Sequence, residues 1–533
     1  MRRATRFSTL ALLAVLAAAV AARGEGVGEV SFANSGAAAA QPAFLRGLAL
    51  LHNFEYDDAA ESFREAQKLD PGFAMAYWGE AMTHTHPVWL QQDRDAALAA
   101  LAKLAPTAAE RQAKAPTARE RAWLSAVEVL YGEGAKEQRD RDYASAMEAL
   151  HARFPDDVDA AAFHALALLG TAHQGRDFAT YMRAAAVLEE VFPAHPHHPG
   201  VLHYLIHCYD DAVHAPLGVR AARLYGAVAP DAGHALHMTS HIFIALGQWG
   251  DVIAANEQAM RVVNAQRAAK KQDPKNCGHY PDWLHYGLLQ RGQLAEAEAG
   301  LERCRQDALA EAAKPDVAPD PRYSAIGAWS EMRLQFVVDA GKVPGGSIEV
   351  PADARYADAR LNLAYADLYA AVRDGDAKVV KSATERFASA RKEVEARHDA
   401  EDPLADEEVA ALGQQIDALV LLASGQRAPA LEALARAADA EDAIPLVFGP
   451  PLVEKPSREL LGEQLVAAGR VEDGKAALIV ALARNPGRTA ALRALLAAQT
   501  ALHDEAGANA TRAAIAANVQ PSAAVAPSAA SPR

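Results

Sequence analysis

The sequence predicts an all-α protein built as a solenoid of antiparallel helix pairs. Apolar residues recur every three or four positions in segments of 12–16 residues, which is the period of one helix face. Two such segments, joined by a short turn, repeat about every 34 residues. The sequence contains no β-rich alternating runs of the kind that indicate half-buried strands. Together these patterns predict a stack of helical hairpins.

The first hairpin is predicted over residues 40–73. Small residues at three places let its two helices approach closely, a large apolar residue fills the space between them, and a proline ends the second helix. At repeat positions 8, 20, 24, 27 and 32, these residues are Gly47, Ala59, Phe63, Ala66 and Pro71. This pattern resembles the tetratricopeptide (TPR) repeat. The segment AMAYWGEAM at 74–82 opens the next unit.

Later units keep the same register. Pro196 and Pro230 are 34 residues apart and both fit position 32, while Gly292 and Gly469 each fit position 15 of later hairpins. The resemblance covers most of residues 42–515, although 100–160 and 305–445 match only as helix pairs. Segments such as HALHMTSHIFIALGQW also resemble exported bacterial TPR-repeat proteins of unsettled function, so the resemblance implies a fold and no reaction.

Composition shifts divide the chain into six predicted segments. The arginine-led apolar run at the start is typical of a signal peptide, and the tail is rich in Pro, Ser and Ala. The segments are a signal peptide (1–22), a flexible N-terminal segment (23–41), a TPR lobe with a histidine-rich groove (42–341), a linker (342–356), a second helical lobe (357–515) and a disordered tail (516–533). We therefore expect an exported protein, periplasmic or secreted.

The charge and hydropathy of the chain exclude two classes of partner. The formal net charge is −15 with no basic block, which disfavours nucleic acid and anionic membrane surfaces. No segment after the leader offers about 18 apolar residues in a row, so no stable membrane insertion is expected. The groove of a TPR array instead predicts a peptide, a protein or a small molecule as ligand.

Histidines concentrate between His164 and His285, which hold 13 of the 19. The TPR resemblance implies that positions 2, 5, 9, 12 and 13 of each first helix face the groove. At positions 5 and 9 of two neighbouring first helices stand His203, His207, His237 and His241. Each i, i+4 pair shares one helix face, and packed helices lie about 8–10 Å apart. Because imidazole is a common ligand for transition metals, these four histidines are predicted to hold one ion.

Four further histidines fall on groove positions and are predicted as additional ligands or as supports for the ligands: His234, His279, His52 and His86. Zn, Cu, Fe and Ni all accept imidazole, so the sequence does not choose the metal. One alternative stays open, in which these histidines only hydrogen-bond a peptide ligand or a buried carbonyl. The turn PAHPHHPG, which contains His198, is assigned to a solvated loop, with an accessory-ligand role as its alternative.

Three functions fit these patterns. The first is a binding protein whose groove carries the metal site. The second is a metal-dependent hydrolase or redox enzyme, for which the candidate bases are Asp210, Asp282 and Glu80. The third is metal storage or delivery outside the cytoplasm. Binding is preferred, and catalysis is left undecided.

Two of the three cysteines are candidates for a disulfide. Cys277 precedes a predicted first helix and Cys304 lies near the end of its partner helix. These two ends are neighbours in an antiparallel hairpin, so a disulfide is expected in an oxidising compartment. The alternative is that Cys277 is a soft metal ligand.

Overall fold

The computed structural model describes residues 22–24, 26–314, 324–397 and 405–519. This part of the chain contains 24 α-helices and two short antiparallel hairpins, β1–β2 and β3–β4. The strands are β1 (Ala22–Gly24), β2 (Gly28–Val30), β3 (Thr85–His86) and β4 (Gln91–Gln92). In chain order, the helices are α1 (Gln41–His52), α2 (Tyr56–Leu69), α3 (Ala74–Met82), α4 (Arg94–Leu104), α5 (Ala108–Lys114), α6 (Ala118–Leu130), α7 (Lys136–Arg153), α8 (Val158–Leu169), α9 (Phe178–Val191), α10 (Pro199–Tyr209), α11 (Ala215–Val228), α12 (Gly233–Ala245), α13 (Trp249–Ala269), α14 (His279–Gln290), α15 (Leu294–Ala312), α16 (Ala325–Ala340), α17 (Ala357–Asp374), α18 (Ala377–Arg397), α19 (Ala405–Ala423), α20 (Arg427–Ala443), α21 (Ser457–Ala467), α22 (Val471–Arg484), α23 (Thr489–Ala501) and α24 (Glu505–Val519).

Consecutive helices pack against each other along the chain, which confirms the predicted all-α, TPR-like solenoid of antiparallel pairs. The first pair shows why the repeat needs small residues. A Cβ atom added to Gly47 on α1 would lie 3.0 Å from the ring of Phe63 on α2. Gly79 on α3 approaches the same ring from the other side, where an added Cβ would lie only 2.3 Å away. Phe63 therefore fills the space between three helices because both neighbours lack a side chain.

Residues 26–41, in the segment predicted to be flexible, contact the first helices of the array. Phe32 is buried and stacks against Trp78 at a ring separation of 5.8 Å. The Val27 carbonyl accepts a hydrogen bond of 2.8 Å from Asn53. The Ser35 hydroxyl donates one of 2.6 Å to Glu120. The few apolar and polar side chains among the glycines and alanines anchor this segment across the first helices.

The predicted linker, 342–356, is irregular up to residue 353 and ends in a short 3₁₀ turn, Ala354–Tyr356. Helices α16 and α17, on either side of it, nevertheless pack directly against each other. Leu334 and Val337 of α16 belong to the same apolar core as Leu361 of α17. The stack of helices therefore continues across this segment.

The C-terminal helices return to the first part of the array and contact it closely. Trp249 donates a hydrogen bond of 3.0 Å from its indole nitrogen to the Gly487 carbonyl. The backbones meet there, because an added Cβ on Gly247 would lie 2.7 Å from the Pro486 carbonyl oxygen. Arg488 is buried and pairs with Asp339 on α16. The side of the array that contains the histidines is thus covered by a later part of the chain.

The ends of the chain are described only in part. Helix α24 continues to Val519, so residues 516–519 are helical, whereas the tail was predicted to be disordered from 516. The rest of that predicted tail, 520–533, lies outside the described residues, as does most of the predicted signal peptide, 1–21. In the described ranges, none of the helices combines the length and the apolar character needed to cross a membrane.

Candidate functional site

Six histidines from three first helices meet inside the array. Helix α10 supplies two of them, α12 supplies three, and α14 supplies one. Their ring nitrogens form two groups, in each of which all ligand atoms lie within 4.8 Å of one another. We call the first group the buried set (His203, His207 and His234) and the second the open set (His237, His241 and His279). The four histidines predicted to share one ion are therefore divided between two sets, each completed by a predicted additional ligand.

The helical period explains two of the three members of each set. His203 and His207 are four residues apart on α10, and their ring centroids lie 4.9 Å apart. His237 and His241 have the same spacing on α12, with centroids 5.0 Å apart. The third histidine of each set comes from the next first helix of the array.

In the buried set, the side chains are almost completely withdrawn from solvent. The Nδ1 atom of His203 lies 2.6 Å from the carbonyl oxygen of His52, which can only accept, so Nδ1 carries the proton. The Nε2 atom of His203 is left with a lone pair. Within the described residues, the Nε2 atoms of His203, His207 and His234 have no hydrogen-bond partner. Burial, followed by the neighbouring imidazoles, lowers the pKa of His203 and His234 well below the ordinary value, so both rings are neutral.

Two histidines of the open set, His237 and His241, show the same protonation pattern as His203. His237 Nδ1 lies 2.6 Å from Asn256 Oδ1, and the amide nitrogen of Asn256 donates to the Val252 carbonyl, which fixes Oδ1 as the acceptor. His241 Nδ1 lies 2.9 Å from Asp210 Oδ2. Both rings therefore carry their proton on Nδ1, yet their Nε2 atoms face each other at 3.2 Å. His279, the third member, is exposed, so this set reaches solvent.

Asp210, at the end of α10, links the two sets. Its carboxylate accepts from His241 and lies 3.3 Å from His207 Nδ1. Arg176 forms an ion pair with Asp210 and is itself almost fully buried. Burial would raise the pKa of Asp210, but Arg176 and the two imidazoles lower it below the ordinary value. The carboxylate stays ionised and holds one histidine of each set in place.

Aromatic side chains surround the histidines. The Phe448 ring, from the irregular segment between α20 and α21, lies 4.8 Å from His241 and 6.1 Å from His207. The Phe54 ring lies 4.3 Å from His203, and Phe54 adopts a left-handed φ of 56°. A cavity of about 60 Å³ separates Asp210 from the Phe448 segment. The sets therefore lie in a largely apolar enclosure, which strengthens electrostatic interactions within it.

A third buried group contains His52 and His198 on either side of Asp159. His52 Nε2 lies 2.9 Å from Asp159 Oδ1, and its Nδ1 lies 3.0 Å from the Tyr204 hydroxyl. His198 Nε2 lies 3.3 Å from the same carboxylate oxygen, and its Nδ1 accepts from the Val201 backbone. The prediction of a solvated loop is thus wrong for His198, because its ring caps α10 from inside the protein.

The remaining candidates lie in other surroundings. His86 stacks on Tyr56 at a ring separation of 3.9 Å. Glu80 accepts hydrogen bonds from Lys103 and Gln67; these contacts outweigh the effect of burial and lower its pKa. Asp282 accepts a hydrogen bond of 3.0 Å from Gln335. The structure places none of these three side chains in either histidine set.

Cys277 and Cys304 form a disulfide bond with a Cα–Cα distance of 4.9 Å. The bond joins the segment before α14 to α15, next to the open set member His279. This pairing removes the alternative in which Cys277 is a metal ligand, because a disulfide sulfur carries no thiolate charge.

Three functional neighbours could not be found by reasoning on the sequence. Asn256 lies on a second helix, α13, and Arg176 lies in the loop before α9. Neither belongs to a recognisable spacing with the histidines. Phe448 is about 200 residues away from the sets along the chain. The one sequence signal for it is that an aromatic residue stands inside the proline-rich stretch AIPLVFGPPL.

Comparison with known proteins gives similarities in fold only. No protein-family model and no curated protein matches this chain. Among solved structures, the human IFIT1 dimer with m7Gppp-AAAA is similar at 13% identity, with 92% of this chain and 90% of that chain covered and a TM-score of 0.33. Yeast Tom70 is similar at 11% identity over 90% of this chain and 91% of that chain, with a TM-score of 0.24. Naa15/Naa10 bound to HypK-THB is similar at 13% identity over 89% and 63%, with a TM-score of 0.22.

Proposed function

We propose that this protein binds transition-metal ions in the histidine core of its helical array. The observation that carries the proposal is the contact between His237 and His241. Two unprotonated Nε2 atoms at 3.2 Å repel each other when nothing lies between them, because both present lone pairs. A cation held by both nitrogens removes that repulsion.

The distance itself fits two ligands of one ion. Zn–N bonds of about 2.0 Å at a tetrahedral angle place two ligand nitrogens about 3.3 Å apart. The Nδ1 protons of these rings are donated to Asn256 and Asp210. Metal-ligating histidines nearly always donate their other N–H to a carboxylate, an amide or a carbonyl, since this fixes the tautomer. Both supports exist in the folded chain.

Imidazole nitrogens favour Zn, Cu, Fe and Ni over the oxygen-seeking Mg and Ca. The cluster offers nitrogen donors and no thiolate, because Cys277 and Cys304 are paired and Cys208 is not in either set. The ligand we propose is therefore a transition-metal ion of intermediate softness, such as Zn or Cu. A small molecule that reaches this ion past the exposed His279 could bind to it as well. Because the Phe448 segment covers the histidines, an extended peptide is less suited to this part of the groove.

We also infer that the protein works outside the cytoplasm. The arginine-led apolar leader supports this, and so does the disulfide between Cys277 and Cys304, since such bonds persist mainly in oxidising compartments. Mass spectrometry of the protein recovered from the extracytoplasmic fraction should give a chain that begins near Arg23. A full-length chain found only in the cytoplasm would contradict export.

The binding proposal is tested by elemental analysis of the protein purified without chelator or nickel resin. We expect at least one transition-metal ion per chain, and a lower metal content in the variant His237→Ala/His241→Ala. A matched control is His195→Ala/His197→Ala, which removes two exposed histidines of the turn before α10 and should keep the metal. Circular dichroism should show that both variants remain helical. A wild-type protein that contains no metal and takes up none in titrations with Zn²⁺ and Cu²⁺ would refute the proposal.

A second candidate, a metal-dependent enzyme, is favoured by one observation. Each set supplies three protein ligands, and catalytic metal sites characteristically keep a fourth position open for water or substrate. The exposed His279 gives that position a route to solvent. Zn-loaded protein should then hydrolyse an activated ester, or Cu-loaded protein should consume dioxygen with a phenolic reductant, faster than the His237→Ala/His241→Ala variant. Equal rates for the loaded protein and the variant would leave binding as the sole proposed activity.

A further inference from the structure

The histidine core contains six histidines, which is more than the four ligands that one tetrahedral ion needs. We propose that it holds two ions as a pair, one in the buried set and one in the open set. This inference rests on the proposed function and goes beyond it, because metal binding alone requires only one site. It also replaces the single four-histidine site predicted from the sequence.

The buried set has the ligands of a complete site. His203, His207 and His234 are 0%, 1% and 7% exposed, and their Nε2 atoms have no hydrogen-bond partner in the described part of the chain. Leaving a buried polar atom unsatisfied costs about 1–3 kcal/mol. Three buried rings that each offer one nitrogen within 4.8 Å of the others therefore indicate a bound group that these nitrogens share.

The open set has an independent reason to bind an ion, which is the 3.2 Å contact between His237 and His241. His279 completes it from α14, with its ring centroid 4.5 Å from that of His237. Its three ligands differ from those of the buried set, and the two sets have only the Asp210 carboxylate in common as a neighbour. Either site can therefore be removed by substitutions that leave every ligand of the other unchanged.

The grouping of the ligand atoms favours two neighbouring ions over one shared ion. Among the described residues, no group of ligand atoms within 4.8 Å contains all four of His203, His207, His237 and His241. The two sets meet at Asp210, which forms a further group with His207 and His241. Two-metal sites hold their ions about 3.5–4 Å apart and share a bridging ligand. Asp210 lies beside His207 and His241, one ring from each set. The position of this carboxylate would therefore affect the ligands of both ions.

The two sites differ in access. His279 is exposed, whereas all three ligands of the buried set are enclosed by protein. An ion therefore reaches the open set first, and the buried set fills more slowly. A small oxygen donor or anion that enters past His279 can occupy the open positions between the two ions.

The test is a Cu²⁺ titration of the metal-free wild-type protein, followed by electron paramagnetic resonance. We expect uptake of two ions per chain and, as the second ion binds, loss of the isolated Cu²⁺ signal through magnetic coupling. Added azide should then give a new charge-transfer absorption. These readouts need no variant, so they do not depend on the folding of a mutant.

Two variants then separate the sites. His203→Gln/His207→Gln and His237→Gln/His241→Gln should each bind one Cu²⁺ with an uncoupled signal, while His195→Gln/His197→Gln should bind two. Uptake of one ion by the wild type, lost entirely in either variant, would overturn the pair and leave the single shared site. Two ions with uncoupled signals throughout would also overturn it. Uptake of no ion would instead refute the proposed function itself.

Discussion

Two buried histidine clusters lie side by side in this protein, and they differ in how their protons are distributed. In the His52–Asp159–His198 cluster, an ionised carboxylate lies between two rings, and each ring uses its other nitrogen for a hydroxyl or a backbone N–H. In the buried and open sets, the Nδ1 atoms of His203, His237 and His241 have acceptors. Their Nε2 atoms either face one another or have no hydrogen-bond partner among the described residues. Both clusters have ligand-capable atoms within 4.8 Å.

This difference shows that proximity of histidines is a weak criterion for a metal site. A neutral histidine carries one proton on its two ring nitrogens. The hydrogen-bond partner of one nitrogen therefore determines whether the other nitrogen is a donor or has a lone pair for an ion. At His52 both nitrogens have protein partners. At His203 one nitrogen is committed to the carbonyl of residue 52, and the other is available to an ion.

The largest effect should come from breaking the His52–Asp159–His198 cluster at its centre. Burial opposes ionisation of Asp159, but the two histidines lower its pKa below the ordinary value. Asp159→Asn removes the charged acceptor of the buried His52 ring, and leaving a buried polar group unsatisfied costs about 1–3 kcal/mol. We expect a large loss of unfolding free energy in urea with unchanged metal content in the folded protein.

The control for this variant is Asp156→Asn, which removes an exposed carboxylate three residues earlier. It should change the unfolding free energy by less than about 0.5 kcal/mol. If Asp159→Asn released metal while keeping the wild-type stability, the cluster would belong to the metal site and the comparison would be wrong.

The fold could be predicted from the sequence because its determinants are local. Small residues and prolines at fixed repeat positions set the helix pairs, as Gly47 and Phe63 show in the structure. The packing of residues 26–40 could not be predicted, because it depends on distant partners of Phe32 such as Trp78. The contact of the C-terminal helices with Gly247 could not be predicted either, because it depends on the angles between all the helix pairs that lie between them.

In the candidate site, too, the contacts within one helix could be predicted and those between helices could not. The i, i+4 pairs lie within one helix, so the 3.6-residue period alone places His203 beside His207. Which third histidine joins each pair depends on the angle between neighbouring repeats, which the sequence pattern does not specify. His198 was misassigned because its turn is rich in Pro and His, whereas the ring itself caps α10 and is buried.

A smaller effect is expected from removing a support rather than a ligand. Asn256→Ala deletes the acceptor that fixes the His237 tautomer, and loss of such a partner typically weakens metal affinity 10–100-fold. Competition with a chromophoric chelator measures this change for Zn²⁺. Asn518→Ala removes another buried asparagine, which bonds Gly487 far from the sets, and should leave affinity unchanged. Equal affinities for wild type and Asn256→Ala would mean that His237 is not a ligand.

The cover over the histidines should affect rates more than affinity. Phe448→Ala removes the ring that packs against His241 and His207, so ions should leave more easily. We expect release to a chelator to become about tenfold faster, which corresponds to about 1.4 kcal/mol in the barrier. Stopped-flow absorbance measures the rate. Val447→Ala, from the same segment, is the control, and an equal acceleration in both variants would indicate general loosening of the segment.

A carboxyl outside the histidine clusters extends the comparison, because it needs only a proton to become neutral. Glu454 is half-buried and lies close enough to Glu331 and Asp282 for their charges to interact. Burial, followed by the charge of Glu331, raises the pKa of Glu454 from 4.5 to about 8, although Arg488 opposes this and Asp339 adds to it. The folded protein thus binds this proton more tightly than the unfolded chain does, so the contribution of Glu454 to stability is greatest below pH 4.5 and falls as the pH rises toward 8.

Replacing Glu454 with Gln should remove this pH dependence. At pH 8.5 we expect Glu454→Gln to be more stable than the wild type by at least about 1 kcal/mol, since the cost of ionising a half-buried carboxyl disappears. At pH 3.5 the two proteins should be nearly equal, because Glu454 is then neutral in both the folded and the unfolded chain. Urea unfolding at both pH values measures the difference, with the exposed Glu472→Gln as the control. A variant that is less stable at pH 8.5 would mean that the Glu454 carboxylate is ionised and partnered, in which case this group would resemble the Asp159 cluster.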